Sequence, residues 1–213
     1  MADQSTVRSE HVPSLRETLA AATRHQIVTA AHELFSQHGY VKTSVGAIAA
    51  RAGVAIQTIY NTVGNKVAVL SAVLDTAASG PNAPVSVPVF MTERTRATTN
   101  VDELVGMLAD WFAQANPRTA PIVSIIRQAA AVDEEAAQLE RRRAAQRLSN
   151  YHLAAAAVRE RGGLSNGASD DDAAATIWAI GHPNVYQQLV VESGWSGRAY
   201  RDWVYRALVA SLQ

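Results

Sequence analysis

Cysteine is absent from the 213-residue chain. Disulfides, thiolate zinc sites and cysteine nucleophiles are therefore excluded. No apolar run approaches the roughly 18 residues that a membrane-spanning helix needs, and the N-terminus lacks the apolar core of a signal peptide. We therefore expect a cytoplasmic protein that makes no membrane contact.

An excess of charge of either sign is also missing, because 19 Lys and Arg residues balance 19 Asp and Glu residues. The overall charge therefore gives no indication of a nucleic-acid partner, and DNA binding would require a local basic patch. The hydrophobic share of 48% is large enough for a substantial core, which excludes a globally disordered chain.

Apolar residues recur at helical spacing through most of the chain, and no stretch shows sustained period-two alternation, so we predict an all-α fold. Residues 1–13 are polar and are expected to form a flexible arm. We predict a three-helix helix-turn-helix domain over residues 14–79 and a C-terminal helical bundle over residues 100–213. Between them, residues 80–99 are expected to be an irregular linker, because its first part, GPNAPVSVP, contains three prolines.

Turn signals divide the C-terminal bundle further. Asn116-Pro117 is expected to separate two helices, and Gly162-Gly163 to end a long helix that starts near Asp133. The next helix is predicted to extend from Ser169 to Ser193 with a kink at Pro183, and Ser196 is expected to open the last one.

A helix-turn-helix is predicted within residues 39–70. Gly53 follows a short helix with apolar residues at i, i+3, i+4 and i+7, and glycine readily takes the positive φ of a tight turn. Ile59 would anchor the second helix inward. That helix would expose polar side chains of the kind that bond base edges and phosphates: Gln57, Thr58, Tyr60 and Asn61.

Three further residues are candidates for phosphate binding. Thr43 and Ser44 precede the first helix of the motif, where a hydroxyl caps free N–H groups and the helix N-terminus attracts an anion. Lys66 opens the helix after the motif. Residues 24–80 contain four basic and two acidic residues, so a small basic excess coincides with the motif.

The run from Ile27 to Leu74 resembles the N-terminal domain of the TetR family of bacterial repressors. The shared phrase comprises an apolar helix followed by Gly-Tyr, Thr-Ser-Val, Ile-Ala, Ala-Gly-Val, Thr-Ile-Tyr and Asn-Lys. The resemblance implies that Thr43 and Lys66 bind phosphates. Ala55 departs from the family where a capping serine is common, and Thr62 stands where a histidine or tyrosine often touches the DNA backbone, although its hydroxyl can still donate.

The resemblance also implies a ligand-responsive repressor that binds a pseudo-palindromic operator as a homodimer. Its effector is expected to be a small hydrophobic molecule. Apolar and small residues along the last two helices predict a dimer interface at Ala174, Ile177, Trp178, Val185, Tyr200, Val204, Ala207 and Leu208. Aromatic and polar residues on three helices predict a ligand pocket formed by Trp111, Phe112, Arg127, Trp178 and His182.

Two other functions remain open at this stage. The C-terminal domain could bind a partner protein, or the chain could be an enzyme with an appended helix-turn-helix. No phosphate loop, nucleophile elbow or metalloprotease motif supports catalysis, and we expect no cofactor.

The remaining charged clusters have simpler interpretations. We expect Arg141, Arg142, Arg143 and Arg147 to belong to a solvated, salt-bridged helix face. Asp170, Asp171 and Asp172 are expected to favour the start of a helix rather than to bind a metal. The histidines of the first helix, His25, His32 and His38, lack the spacing of a zinc site, so no metal is expected.

Overall fold

The computed structural model describes residues 14–80, 87–164 and 167–212, so the predicted arm of residues 1–13 lies outside the described residues. The described residues contain helices and no strand, which confirms the all-α prediction. None of the described helices has the length and apolarity that a membrane span requires. The elements are α1 Leu15–Lys42, α2 Val45–Ala52, α3 Ile56–Thr62, α4 Lys66–Ser79, α5 Val87–Ala97, α6 Val101–Ala130, α7 Glu134–Glu160, α8 Asp170–Ile180, α9 Pro183–Tyr186, a π-helical segment Gln187–Glu192 and α10 Gly197–Leu212.

Local sequence signals account for the ends of the N-terminal helices. Ser14 begins α1 with a capping box, since its side chain accepts from the Glu17 N–H and the Glu17 carboxylate accepts from the Ser14 N–H. Gly39 interrupts the helix at φ 71°, and one further turn follows it. Gly53 ends α2 in the left-handed region at φ 69°, which makes the tight turn into α3 that the sequence predicts.

The predicted break at Asn116-Pro117 is wrong, because α6 continues through Pro117 and Pro121 to Ala130. The two prolines are four residues apart and both are exposed, so they share one solvent-facing side of the helix. Water can bond the carbonyls that lose their helical N–H donors there. The opposite face of α6 is buried both before and after the two prolines, and this packing outweighs the tendency of proline to end a helix.

The predicted irregular segment and the predicted penultimate helix also differ from the structure. Helix α5 occupies residues 87–97, inside the expected linker, with Pro88 in its first turn where a missing N–H is tolerated. The helix expected from Ser169 to Ser193 is divided: α8 ends before Gly181, and α9 starts at Pro183. A side chain at position 181 would clash with Phe112, since an added Cβ would lie 2.2 Å from its ring.

The chain packs around two hydrophobic cores, and their boundary does not follow the predicted domain boundary. The N-terminal core combines α1–α4 with the second half of α6 and the start of α7, including Ile122, Ile126 and Leu139. The C-terminal core combines the first half of α6, the second half of α7, α8 and α10. Helices α6 and α7 therefore belong to both cores.

Candidate DNA-binding surface and ligand site

Helix α3 presents the predicted polar residues outward. Ile59 is fully buried and anchors the helix, whereas Gln57, Tyr60 and Asn61 are exposed. The Gln57 amide donates to Asn61 Oδ1 at 3.0 Å, so these two side chains lie on the same face. Thr58 is half-buried at the margin of this face. The helix starts at Ala55 without a side-chain cap, as the substitution for serine predicts.

The two hydroxyl residues before α2 have different roles. Ser44 is exposed and caps α2 by accepting from the Ala47 N–H at 3.0 Å. Thr43 is only 2% exposed, and its hydroxyl donates to the carbonyls of Gly39 and Leu34. Thr43 therefore ties α1 to the turn before α2. This burial contradicts the prediction that the Thr43 side chain binds a phosphate, because its hydroxyl proton is already donated within the chain.

Lys66 is held by an arrangement that sequence analysis missed. Its ammonium lies 3.9 Å from the centroid of the Tyr40 ring, and the Tyr40 hydroxyl donates to Asp133 Oδ2 at 2.6 Å. Burial lowers the pKa of Lys66, while the Asp133 carboxylate acts in the opposite direction. The Gly-Tyr phrase was the only signal for Tyr40, and nothing in the sequence pointed to Asp133.

Two basic residues around the motif are already engaged. Arg51 forms an ion pair with Glu33 at 2.5 Å, and Arg24 donates to the carbonyl of Thr62 at 3.2 Å. The second contact fixes the end of α3, where Thr62 is half-buried. Among the described residues 24–80, Lys42 and Lys66 are therefore the lysines and arginines without an ion pair or a hydrogen bond, and Lys66 remains a predicted phosphate-binding residue.

The predicted ligand residues divide into a buried group and a polar group. Phe112 is 1% exposed and packs edge-on against Tyr151 at 5.9 Å between ring centroids, so it belongs to the C-terminal core. Trp111, its neighbour on α6, is half-buried on the margin of the same core. Trp178 and His182 lie together, edge to face, at 5.3 Å.

Arg127 lies at the polar side of this group. The Asn184 amide is assigned with its oxygen towards Arg127, since that orientation accepts from both terminal nitrogens at 2.5 and 2.7 Å. The Arg127 Nε lies 3.7 Å from a Glu140 oxygen. The side chain remains 55% exposed, so Arg127 is at the edge of the group rather than inside it.

Arg147 joins the same group, although the sequence analysis assigned it to a solvated face. Its Nε is buried without a hydrogen-bond partner, and so is the indole Nε1 of Trp178. Burial, and then the charges of Arg147 and Arg127, lower the pKa of His182 to about 4. Helical spacing in the sequence does not distinguish Arg147 from the exposed arginines that precede it.

A family model for bacterial regulatory proteins of the tetR family matches residues 27–73, which contain the whole motif described above. This N-terminal part of the chain is therefore similar to the DNA-binding domain of the TetR family. The matched model describes bacterial regulatory proteins, so residues 27–73 are similar to the part of such regulators that contains the helix-turn-helix.

Solved structures show the same fold across most of the chain. NalD of Pseudomonas aeruginosa, the secondary repressor of the MexAB-OprM multidrug efflux pump, is 20% identical at a TM-score of 0.69, over 91% of this chain and 98% of NalD. FadR of Bacillus subtilis, solved in complex with stearoyl-CoA, is 20% identical at a TM-score of 0.69, and the match covers 89% of this chain and 99% of FadR. FadR of Bacillus halodurans is 22% identical at a TM-score of 0.67, and the match covers 89% of this chain and 99% of that FadR. No curated protein matches this chain by sequence.

Most of the residues predicted for the dimer interface lie inside the core of the chain itself. They are fully buried within one chain, so they cannot also form an interface: Ala174, Ile177, Tyr200, Val204 and Leu208. The α8 stripe packs against α7 and α10, and the α10 stripe packs against α6 and α8, which explains the error. Trp178, Val185 and Ala207 are half-buried and remain predicted interface residues.

Arg141 and Asp172 have the predicted roles, whereas Arg143 bonds across to α4. Arg141 pairs with Glu134 at 2.8 Å, and Arg143 pairs with Asp75 at 2.7 Å. Asp172 forms a capping box with Ser169 at the start of α8. Among the residues that the structure describes, no group of His, Asp and Glu side chains is arranged to hold a metal ion.

Proposed function

We propose that this protein is a TetR-family repressor that binds a pseudo-palindromic operator as a homodimer and is released from DNA by a small organic effector. The observation that carries the proposal is the polar, outward face of α3 on a core that also contains parts of α6 and α7. The same helices thus support the DNA-reading surface and border the candidate ligand site.

The DNA part of the proposal follows from the size of α3. Its seven residues can contact only a few base pairs, so useful specificity requires two half-sites and two chains. Gln57 and Asn61 are suited to bidentate contacts with adenine, and Ser44 and Lys66 to contacts with phosphates. The half-buried Trp178, Val185 and Ala207 are the candidate interface residues that remain.

The release part follows from the contacts between α7 and the N-terminal domain. Tyr40 donates to Asp133, and the Asn65 amide donates to Glu135 Oε2 at 2.6 Å, so the start of α7 is bonded to both flanks of the motif. On α6, Arg118 Nε donates to the Ala77 carbonyl at 2.9 Å. A ligand that binds one arrangement of α6 and α7 better than another would therefore change the positions of the two α3 helices.

The solved relatives support the same general kind of protein. NalD is described as a repressor and FadR of Bacillus subtilis was solved with stearoyl-CoA, so this fold accommodates both DNA control and a bound organic molecule. The present chain shares only 20% of its residues with either, and its effector has to be inferred from its own side chains.

The test is footprinting of the purified full chain on DNA upstream of its own gene, with the complex sized by light scattering. We expect one protected pseudo-palindromic site bound by a dimer. The matched variants are Gln57→Ala and Gln146→Ala, because Gln146 on α7 makes the same i, i+4 bond to an asparagine, at 3.2 Å to Asn150. Gln57→Ala should weaken the footprint and Gln146→Ala should not. A monomer on a single asymmetric site would contradict the proposal.

A further inference from the structure

The environment of Arg147 contains several N–H donors and few acceptors. Arg147 Nε on α7 and Trp178 Nε1 on α8 are both buried without a hydrogen-bond partner. No carboxylate in residues 14–80, 87–164 or 167–212 forms an ion pair with Arg147. The helices α7 and α8 are neighbours, since His152 Nδ1 lies 3.5 Å from Asp171 Oδ1. Buried donors are nearly always satisfied in native proteins, so two of them on neighbouring helices call for an explanation.

Arg143 shows what a structural arginine on the same helix face looks like. It lies one turn before Arg147 and bonds Asp75 at 2.7 Å and the Ser71 hydroxyl at 2.5 Å. Arg147 is half-buried like Arg143, its Nε has no such partner, and burial lowers its pKa. An unpaired buried charge costs several kcal/mol in real proteins. Packing against its neighbours does not offset such a cost, whereas an anion would.

His182 adds a third donor. Its Nδ1 accepts from the Asn184 N–H at 3.1 Å, so the proton of the neutral ring is assigned to Nε2. The ring is neutral at pH 7 because burial and the two neighbouring guanidinium groups hold its pKa at about 4. An incoming acceptor would therefore meet an indole N–H, an imidazole N–H and a guanidinium.

The positive charge at this place is only partly balanced. The Glu140 carboxylate lies beside Arg127, at 3.7 Å, and Asn184 occupies the terminal nitrogens of Arg127. Arg147 forms no ion pair among the described residues, and the Glu140 charge raises its pKa only in part against the effect of burial. One negative charge on a ligand would complete the balance.

The surroundings of the donors are aromatic. The Trp178 ring contacts His182, and the Phe112 and Tyr151 rings pack edge-on one helix turn away from Arg147. Burial raises the pKa of Tyr151 to about 12, and the charge of Arg147 acts in the opposite direction. A purely inorganic anion would leave these ring faces unused, whereas an organic anion with an apolar body would contact them.

We propose that Arg147, Trp178 and His182 bind the carboxylate of an organic acid with an apolar body, with Arg127 at the entrance. This inference rests on the proposed ligand-responsive function and gives the chemical class of the effector. The guanidinium supplies the charge-assisted bonds, and the indole and imidazole N–H groups direct the two carboxylate oxygens.

The first test compares ligands that differ only in charge. The probes are dodecanoate against dodecanol, and 1-naphthoate against 1-naphthalenemethanol, titrated into the full-length protein at pH 7 and followed by calorimetry. We expect the carboxylate of at least one pair to bind about tenfold more tightly than its alcohol, because a hydrogen bond to a charged group contributes at least that factor. Equal affinities in both pairs, or no binding of either carboxylate at millimolar concentration, would overturn the proposal.

The second test uses matched arginine variants. Arg147→Met should lower the carboxylate affinity about tenfold, leave the alcohol affinity unchanged and raise the melting temperature of the ligand-free protein, because it removes an unpaired buried charge. Arg143→Met should lower the melting temperature and leave the carboxylate preference intact. If Arg147→Met instead destabilised the free protein and retained the preference, Arg147 would be a structural residue.

Trp178→Phe provides a measurement that does not depend on the arginine. It keeps an aromatic ring and removes the indole N–H, so it should weaken carboxylate binding and not alcohol binding. In the wild type, the Trp178 indole proton resonance should move downfield when the carboxylate is added. An unmoved resonance in a protein that binds the carboxylate would place the anion elsewhere and overturn the assignment.

Operator release separates this proposal from the general function. Carboxylates that bind through Arg147 without releasing operator DNA would contradict the proposed function and leave the anion site standing. Release of DNA by the alcohols as readily as by the carboxylates would contradict the anion site and leave the proposed function standing.

Discussion

The two hydrophobic cores differ in how completely their polar neighbours are paired. Around the N-terminal core, Arg51 is paired with Glu33, Tyr40 with Asp133, and Ser44 caps α2. Around the C-terminal core, Arg147 Nε and Trp178 Nε1 are buried without partners. The backbone differs in the same way, since the chain after α8 breaks at Gly181 and continues as a π-helical segment, a geometry that is frequent at functional sites.

This difference indicates what each region requires. A recognition helix must be held in one position on its support, so its polar neighbours form fixed bonds within the chain. A region that receives a ligand must keep bonding capacity for it, at a cost in stability when the ligand is absent. Helices α6 and α7 contribute residues to both cores. A shift of these helices in the C-terminal core would therefore also move the support of α3 in the N-terminal core.

The largest expected effect distinguishes burial in the C-terminal core from a place at the dimer interface. Leu208 is fully buried and Ala207, its neighbour on α10, is half-buried. Leu208→Glu should cost more than about 4 kcal/mol and unfold the chain, because it buries an unpaired charge. Ala207→Glu should give a folded monomer with weak operator binding, as measured by circular dichroism, light scattering and anisotropy.

The outcome for Ala207 decides whether α10 contributes to the interface. A folded Ala207→Glu variant that remained dimeric would remove this helix face from the proposed interface. A folded Leu208→Glu variant would mean that the burial of this position has been misassigned.

The next prediction tests the connection between the cores with one residue type. Ile126 on α6 is 3% exposed in the N-terminal core, and Ile177 on α8 is fully buried in the C-terminal core. Each isoleucine-to-alanine change should cost about 2–5 kcal/mol in urea unfolding. Ile126→Ala should also weaken operator binding, since it loosens the support of α3, whereas Ile177→Ala should bind the operator normally below its unfolding transition. Equal operator affinities for the two variants would show that the cores are not distinguishable in this way.

The same two regions explain how far the sequence could be interpreted. The helix-turn-helix was predictable because its signals are local. The turn needs a positive φ, which Gly53 can adopt, and Ser44 caps the helix that follows it. Ile59 must face inward. The continuation of α6 past Pro117 was not predictable, because the buried side of the helix is set by residues far away in the chain.

Burial on the C-terminal helices was the main source of error. The apolar stripes of α8 and α10 fit an interface and a core equally well by their spacing, and residues such as Ile177 and Tyr200 proved to be core. Arg147 was grouped with exposed arginines for the same reason, since helical spacing gives a direction but not a partner. Thr43 shows the converse, because its family position suggested DNA while its hydroxyl bonds within the chain.

A smaller effect is expected at the DNA surface. Gln57→Ala should cost about 1–3 kcal/mol at particular operator base pairs, because one bidentate contact is lost. Lys66→Ala should weaken binding about equally on all sequences and reduce the salt slope by about one unit. Anisotropy with operator variants across a range of salt concentrations measures both quantities. A Lys66→Ala variant with an altered base preference and an unchanged salt slope would reverse the two assignments.

A pH dependence is also expected, and it originates at His182 beside the C-terminal core. The pKa of His182 is lowered from 6.5 to about 4 by burial and by Arg147 on α7 and Arg127 on α6, with Glu140 as the neighbouring carboxylate. The unfolded chain therefore binds more protons at this residue than the folded chain between these two pH values. The free energy of unfolding must then decrease as the pH falls from about 6.5 to about 4.

His182→Asn removes the titration and keeps an oxygen that can accept from the Asn184 N–H, so its melting temperature should fall less than that of the wild type over this window. The matched control is His25→Asn, at an exposed position of α1, which should follow the wild type. Parallel curves for the wild type and His182→Asn would mean that His182 does not experience the two guanidinium groups in solution, and the donor cluster would lose one of its three members.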